Sequence, residues 1–208
     1  EEKKLKKEEL SSLFDKGEAA FLELINFNSS DQAYIDLARL YMLKGRLDGD
    51  AKAYQKVTHL LEGKGAFSSI DQEAEAILLR GEASGSYTKR IEIFDQLTQE
   101  LYKTTPFYGK GWYFKGINDL QQGQKFLRNL RKSFEAKALF DRAILAFEKA
   151  FELLKENEQS LAGLSLKCAA QAYFYKDDKD SRLQAYSLFY KLFNEHSDIF
   201  STMKNRDE

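Results

Sequence analysis

A single proline, Pro106, stands in a chain of 208 residues, and this scarcity constrains the fold more than any other feature. Proline breaks the interior of a helix and is common in loops, so a chain with so little of it is suited to long helices joined by short turns. Apolar residues recur at intervals of three, four and seven, and no segment shows the alternation expected of a strand. The sequence therefore predicts an all-α protein.

The charges of the chain are balanced, because 32 Lys and Arg residues accompany 33 Asp and Glu residues. A formal net charge of −1 gives no general attraction to nucleic acid, so we expect no nucleic-acid partner. No run of eighteen apolar residues occurs, and we expect no insertion into a membrane. Hydrophobic residues make up 43% of the chain, which is typical of a soluble folded protein.

The first residue and the cysteine content bear on processing and redox state. The chain starts at Glu1 without a methionine, so we expect an excised domain or a processed exported protein, and the compartment stays open. The single cysteine, Cys168, excludes an intrachain disulfide.

Four helices are predicted in the first part of the chain. They cover residues 4–27, 32–44, 51–62 and 71–83. The first carries an apolar stripe that comprises Leu10, Leu13, Phe14, Phe21, Leu24 and Ile25. We expect the second helix to stop at Gly45. A polar break at 28–31 supplies an N-cap, and the run from Ser69 to Gln72 has the spacing of a capping box.

The rest of the chain predicts a further helix over 86–104, ended by Pro106, and then a turn that contains Gly109 and Gly111. Two long helices follow between Trp112 and Lys155, and the sequence does not locate their junction. The last predicted helices cover 159–175 and 181–195. Residues after Ser197 are predicted to form a solvated tail.

The two long helices between Trp112 and Lys155 carry a recognisable motif. It consists of Trp112-x2-Lys115-Gly116 followed by Ala143-x3-Phe147-x2-Ala150. These residues resemble the two helices of a tetratricopeptide repeat, where small residues let paired helices approach and an aromatic ring fills the gap to the next pair. Weaker echoes of the second helix begin at Ala53, Phe94 and Ala185, and Ala38-x2-Tyr41 with Gly45 resembles a first helix and its turn.

The spacing of the repeat departs from that family. The equivalent landmarks are Leu60, Leu101, Ala150 and Leu192. The steps between them are 41, 49 and 42 residues, whereas the family repeats about every 34. The resemblance therefore implies tetratricopeptide-like pairs with lengthened helices. HEAT-type repeats of about 40–47 residues are the alternative architecture, since they fit the period better but not the Gly and aromatic pattern.

The expected architecture is a right-handed stack of about four antiparallel helix pairs, an α-solenoid with an extra helix at its N-terminus. It assigns residues 1–30 to an N-terminal capping helix, residues 31–196 to the tetratricopeptide-like domain and residues 197–208 to a flexible tail.

The side chains that usually carry catalysis are few and scattered. His59 and His196 each stand alone, and Cys168 has no local partner for nucleophilic chemistry, so we interpret it as a packed helical residue. The clusters at 63–65 and 109–111 lack phosphate-loop spacing and are interpreted as turn glycines. Residues 177–180 are interpreted as a solvated loop and not a calcium loop. We predict no catalytic residue, no metal site and no cofactor.

A basic stretch is the first candidate for a binding surface. Its members are Lys125, Arg128, Arg131 and Lys132, with Lys137 and Arg142 beyond them. On one continuous helix the first four share a side, which suits an acidic peptide or protein partner. The alternative is a solvated helix face, because Glu135 and Asp141 partly offset the charge.

Aromatic residues around Trp112 and Tyr113 are the second candidate, since Trp and Tyr are frequent at binding hot spots. The competing interpretation is that these rings, together with those at 173–175, fill the core between repeats.

The family resemblance implies a non-enzymatic protein–protein interaction module, an adaptor, assembly factor or chaperone, whose concave helical surface receives a protein or peptide. The alternative is a small-ligand-binding or periplasmic transport-accessory protein with an aromatic-lined pocket between its long helices.

Overall fold

The computed structural model describes residues 2–128 and 133–195, and the side chains of 9–128 and 133–194. The described residues form nine α-helices and no strand, which confirms the all-α prediction. The helices are α1 (Glu2–Asn28), α2 (Asp31–Asp48), α3 (Ala51–Lys64), α4 (Ile70–Ala83), α5 (Tyr87–Leu97), α6 (Tyr108–Leu127), α7 (Ser133–Leu154), α8 (Gln159–Lys176) and α9 (Lys179–Glu195). A 3₁₀ turn, Glu100–Tyr102, lies between α5 and α6. None of these helices is long and apolar enough to cross a membrane.

The chain divides into two compact units, Glu1–Lys89 and Arg90–Glu208. In the first unit, α2 packs against α1, α3 and α4, and α3 also packs against α4. The core of this unit is made mainly by α2. Its most buried members are Ile35, Leu37, Ala38, Val57 and Leu61.

The apolar stripe predicted along the first helix is only partly correct. Phe14 and Ile25 are buried, and Phe21 packs against the core of the unit. Leu10, Leu13 and Leu24 are exposed. Residues 10, 13 and 24 lie on a side of α1 turned roughly a quarter of a rotation from the side that contacts α2, so spacing alone grouped two different faces.

The prediction that the second helix stops at Gly45 is wrong. Helix α2 continues to Asp48 and ends at Gly49, whose φ of 66° is left-handed, as is usual after a helix. A Cβ atom at Gly45 would lie 2.7 Å from the ring of Tyr54 on α3. Gly45 is therefore a packing residue that lets α2 and α3 approach, and not a turn residue.

The start of α2 is fixed by one carboxylate. Asp31 accepts hydrogen bonds from the backbone and hydroxyl of Ser68 and forms an ion pair of 2.9 Å with Nζ of Lys64. Its partners lie at the end of α3 and in the loop before α4. The hydrogen bond from Lys64 and those from Ser68 lower the pKa of Asp31 to about 2. In that same loop Ser69 accepts a 3.2 Å hydrogen bond from the N–H of Gln72, which is one half of the predicted capping box.

In the second unit, α6, α7, α8 and α9 pack each against the next, and α6 also contacts α8. Helix α5 packs on α6 through stacked rings of Phe94 and Phe114, whose centroids are 5.8 Å apart. The predicted helix over 86–104 ends early, at Leu97. The Oγ1 of Thr98 donates instead to the carbonyl of Asp95, an alternative to continuing the helix that threonine often takes. The echo that begins at Phe94 therefore does not lie on one helix, and its landmark Leu101 is exposed.

Glycines of α6 face large side chains of α7. The ideal Cβ positions at Gly109, Gly116 and Gly123 would lie 2.6 to 2.7 Å from Leu154, Phe147 and Phe140 respectively. Both sets recur every seven residues in opposite order, so the two helices run antiparallel in one register. The predicted turn at Gly109 and Gly111 is thus wrong, because both glycines lie inside α6. Gly111 accommodates the side chain of Leu97.

The buried side of α7 alternates small and large residues at spacings of three and four. Its members are Ala136, Phe140, Ala143, Phe147, Ala150 and Leu154. The large members of this side pack against the glycines of α6. In the same register, Leu120 lies opposite Ala143 and Tyr113 lies opposite Ala150, and each of these pairs belongs to one apolar cluster. This large-against-small pairing is the arrangement that fills space between closely packed helices.

The last predicted helices are confirmed within two residues at each end, as α8 and α9. The loop expected at 177–180 is shorter, because Asp177 ends α8 and α9 begins at Lys179. Helix α6 ends at Leu127 and α7 begins at Ser133, which locates the junction that the sequence left open. The predicted tail, 197–208, lies outside the described residues.

We expect Gly116→Ala to lower the free energy of unfolding by about 1–3 kcal/mol, because its methyl group would overlap the ring of Phe147. Alanine is otherwise favoured over glycine in a helix by about 1 kcal/mol. The matched control is Gly63→Ala in α3, whose Cβ would meet no atom within 4 Å and which should not destabilise. Urea unfolding followed by circular dichroism measures both. A Gly116→Ala variant as stable as Gly63→Ala would contradict the close packing, and adding Phe147→Leu should recover part of the loss.

We expect the contribution of Asp31 to depend on pH. The pKa of Asp31 in the folded chain, about 2, lies below its usual 3.8. Its ionised form therefore stabilises the fold fully above about pH 4, and this stabilisation is lost as the pH falls toward about 2. Asp31→Asn should cost about 1–2 kcal/mol at neutral pH and progressively less in acid. Urea unfolding at a series of pH values tests this, and an equal cost throughout would be the contrary result. Asp36→Asn, at a more exposed carboxylate of α2, is the control.

Candidate functional site

The predicted aromatic candidates lie within the packing of α6. Trp112 packs against the cluster formed by α7, α8 and α9 that includes Phe151 and Leu166. Its ring lies edge-on to Tyr108 at 6.4 Å between centroids, and Nζ of Lys115 lies 5.1 Å from its centroid. Tyr113 lies 6.0 Å from the ring of Phe147. Both side chains are half-buried and bridge helices, which agrees with the interpretation that they fill the core.

The basic candidates lie at the end of α6. Lys125 is in its last turn and Arg128 is the residue after it, and both are exposed. Arg131 and Lys132 lie outside the described residues. The expectation that all four share one continuous helix is wrong, because α6 ends at Leu127. Positive charge at this position is favourable in any helix, since it offsets the negative end of the helix dipole.

The basic residues farther along the chain have acidic neighbours. Arg142 forms a 3.0 Å ion pair with the fully buried carboxylate of Asp119 and thereby joins α7 to α6. Lys137 lies close enough to Asp178 to help lower the pKa of that carboxyl group, whose main cause is the hydrogen bond from the backbone of Ser181. These two side chains therefore contribute little to a free basic surface.

Helix α9 starts at a local hydrogen-bonded cap. Asp177, with a left-handed φ of 61°, ends α8 and turns the chain. Asp178 then accepts hydrogen bonds of 2.9 Å from the N–H of Ser181 and 2.8 Å from its hydroxyl group. This is the bond pattern of an N-cap aspartate, and it satisfies a free donor of the first turn. Arg182 forms an ion pair with Asp177. The hydrogen bonds and the ion pair that fix the start of α9 therefore lie within residues 177–182.

One side of α9 anchors the helix to its neighbours. Ala185 and Leu192 are almost fully buried, and Leu188 packs against two apolar clusters. Leu192 belongs to the cluster that contains Phe151 of α7 and Leu166 of α8. Lys191 extends from the edge of α9 toward α7, with Nζ 5.3 Å from the ring centroid of Phe151.

The opposite side of α9 is apolar and exposed. We call it the outer face, and its members are Leu183, Tyr186, Phe189, Tyr190 and Phe193. They expose between 38% and 73% of their surface. Four of the five recur at spacings of three, four and three residues, the pattern of a helix–helix seam, and Phe189 flanks them. A contiguous apolar patch of this size is uncommon on an isolated protein and typically marks an interaction site.

Charge is nearly absent from the outer face. Between Leu183 and Phe193 the only charged residue is Lys191, which points toward Phe151 as described. The first turn carries charges of both signs, on Lys179, Asp180 and Arg182, and Arg182 is paired with Asp177. The outer face is therefore an uncharged aromatic stripe.

Sequence reasoning did not single out the outer face. The echo Ala185-x3-Phe189-x2-Leu192 located the buried side, where Ala185 and Leu192 are confirmed as core residues. The signal that could have identified it is the number of large apolar residues in α9, which is enough for two sides of the helix. Only one of these sides is covered within the described part of the chain. An ordinary surface helix has one such stripe.

A cavity of about 350 Å³ lies between the start of α6 and the end of α7, and its lining includes Thr105, Tyr108 and Glu158. Its lining residues do not include Trp112, and it is partly open to solvent. It is therefore not the enclosed aromatic pocket that the small-ligand alternative requires.

Side chains that could ligate a metal ion do not cluster among the described residues. No three His, Cys, Asp or Glu side chains of that part lie together as a metal site would require. His59 is exposed on α3, and His196 lies outside the described residues. Cys168 is buried among residues of α7 and α8, as predicted, and burial raises the pKa of its thiol to about 11.

No protein-family model matches the chain, and neither does any curated protein or solved structure to which it was compared. The outer face must therefore be interpreted from its own chemistry.

We expect Cys168 to be inert in the folded protein. Its raised pKa keeps the thiol protonated at neutral pH, and the thiolate is the reactive form. The native chain should react with a disulfide reagent about a hundredfold or more slowly than the urea-unfolded chain. Absorbance of the released thiolate measures both rates, with Ser187→Cys, on the exposed part of α9, as the accessible control. Equal native and unfolded rates would show that the thiol is not buried.

Proposed function

We propose that this protein is a non-enzymatic protein-binding scaffold that receives its partner on the outer face of α9. The observation that carries the proposal is the uncharged aromatic stripe on a helix whose other side is anchored in a packed core. Exposed Tyr and Phe side chains on a rigid support are the residues that contribute most to protein interfaces.

Rigidity of the support favours affinity, because ordering a surface on binding costs free energy. Helix α9 is held by Asp178 at its start and by Leu192 near its end, and the helices below it are joined by the glycine contacts of α6 with α7. A partner would therefore meet side chains on a helix that needs no folding step.

The tetratricopeptide-like architecture belongs to the same proposal. We propose that the helices form a stack of about four pairs in which α1 is an additional N-terminal helix. The Gly45 contact with Tyr54 in α2–α3 and the Gly116 contact with Phe147 in α6–α7 support it, since both set a first-helix glycine against a second-helix aromatic ring. Adaptor, assembly-factor or chaperone work is what such a scaffold would do.

The basic end of α6 is the competing surface within the same function. It offers Lys125 and Arg128 to an acidic partner, and the one exposed aromatic residue near them among the described residues is Phe134, at the start of α7. Exposed charges change association rates more than affinity, so we place the main contact on α9.

Affinity capture from the native lysate with two matched variants tests the proposal. The first combines Tyr186→Glu with Tyr190→Glu, two exposed positions where glutamate leaves the buried side of α9 intact. The second combines Lys125→Glu with Arg128→Glu. We expect proteins captured by the wild-type chain to be lost with the α9 variant and retained with the α6 variant, as measured by quantitative mass spectrometry.

The reverse pattern would transfer the function to the basic surface. Capture that neither variant changes, or small-molecule extracts that raise the melting temperature while no protein is enriched, would refute the proposal. Circular dichroism of each variant must first match that of the wild type, so that a lost partner reflects a lost surface.

A further inference from the structure

We infer that the partner of the outer face is a second copy of this chain, bound through an antiparallel contact between the two α9 helices. This inference rests on the proposed function, because it names the occupant of the same face. It follows from the spacing of the face, its area and the absence of charge at its centre.

The spacing of the face permits pairing with itself. In an antiparallel pair related by a two-fold axis near residue 188, Leu183 of one copy lies opposite Phe193 of the other, and Tyr186 lies opposite Tyr190. Positions at spacings of three, four and three are those that interlock when two helices pack along a seam. Every large residue of the seam then faces another large apolar residue.

The helix dipoles favour the antiparallel direction. The first turn of α9 carries Lys179, Asp180 and Arg182, and Arg182 is paired with Asp177, so this turn has no net positive charge. The outer face has no charge from Leu183 to Phe193 apart from Lys191, which extends toward Phe151. An antiparallel pair sets the positive dipole end of each α9 beside the negative dipole end of the other, whereas a parallel pair sets like ends side by side. A face without net charge in its centre also meets its own copy without repulsion.

The area of the face is sufficient for a weak dimer. Its five side chains expose roughly 600 Å² per copy, given about 150–250 Å² for a full aromatic side chain. Two copies would bury about 1,200 Å², the lower end of specific interfaces. We therefore expect a dissociation constant on the order of micromolar, and not a permanent dimer.

Sedimentation of the full chain from about 2 to about 200 µM, a range that spans micromolar affinity, tests the inference. We expect a monomer–dimer equilibrium that Tyr190→Glu shifts toward monomer by at least tenfold in dissociation constant. The matched control is Leu145→Glu, an equally exposed apolar position on α7, which should leave the equilibrium unchanged. A wild-type chain that stays monomeric, or an equal effect of both variants, would overturn the inference.

Disulfide trapping tests the direction of the pair, since Cys168 is buried and its raised pKa keeps it from competing. A mixture of Leu183→Cys and Phe193→Cys chains should cross-link as a heterodimer. Leu183→Cys alone should not cross-link to itself, and efficient self-linkage would refute the antiparallel arrangement.

Two outcomes separate this inference from the proposed function. If the full chain is monomeric but capture still depends on Tyr186 and Tyr190, the face binds a different protein and only the second-copy inference fails. If a chain shortened after Glu195 dimerises and the full chain does not, the occupant is the segment 196–208, which also overturns it. If the full chain is monomeric and the α9 variant captures the same proteins as the wild type, both the inference and the proposed function are refuted.

Discussion

The close approach of α6 and α7 is the contact on which the second unit depends. Glycines at seven-residue intervals, at 109, 116 and 123, leave space that Leu154, Phe147 and Phe140 fill. Any larger residue at these positions would separate the helices, because closely packed cores do not deform to accept even one methyl group cheaply. The small residues of α7, Ala143 and Ala150, likewise pack against larger residues of α6, Leu120 and Tyr113. The register of the two helices is thereby fixed over their whole shared length.

The fixed register determines what the later helices can bury. Helix α7 offers Phe151 to the cluster that α8 and α9 complete with Leu166 and Leu192. Each helix added in this order covers the apolar side of the one before and exposes a new side of its own. Helix α9 is the last described element, and its outer face has no further described helix of this unit packed against it.

Much of the helical content could be predicted from the sequence, because the scarcity of proline and the apolar period are local signals. The roles of glycine could not. Gly45, Gly109 and Gly111 were interpreted as turn residues, yet all lie inside helices against large side chains. A glycine can be required because its backbone is free to turn or because it has no side chain. These two roles can be distinguished only when the neighbouring helix is known. The outer face could not be predicted for a related reason. The apolar period of α9 shows which residues share a side of the helix, but it does not show which side a neighbouring helix covers.

The composition of the outer face favours a reversible contact. Covering an apolar surface releases about 25 cal/mol for each Å² removed from water, so an uncovered stripe is a standing cost to solubility. Phe193 and Leu183 expose 63% and 59% of their surface and have no polar group in their side chains to reduce this cost. Tyr186 and Tyr190, at the centre, reduce it, because their hydroxyl groups stay hydrated when the face is free and their rings still pack when it is covered. Phenylalanine at both central positions would suit a permanent interface better. Tyrosine suits a surface that must remain soluble alone and still bind.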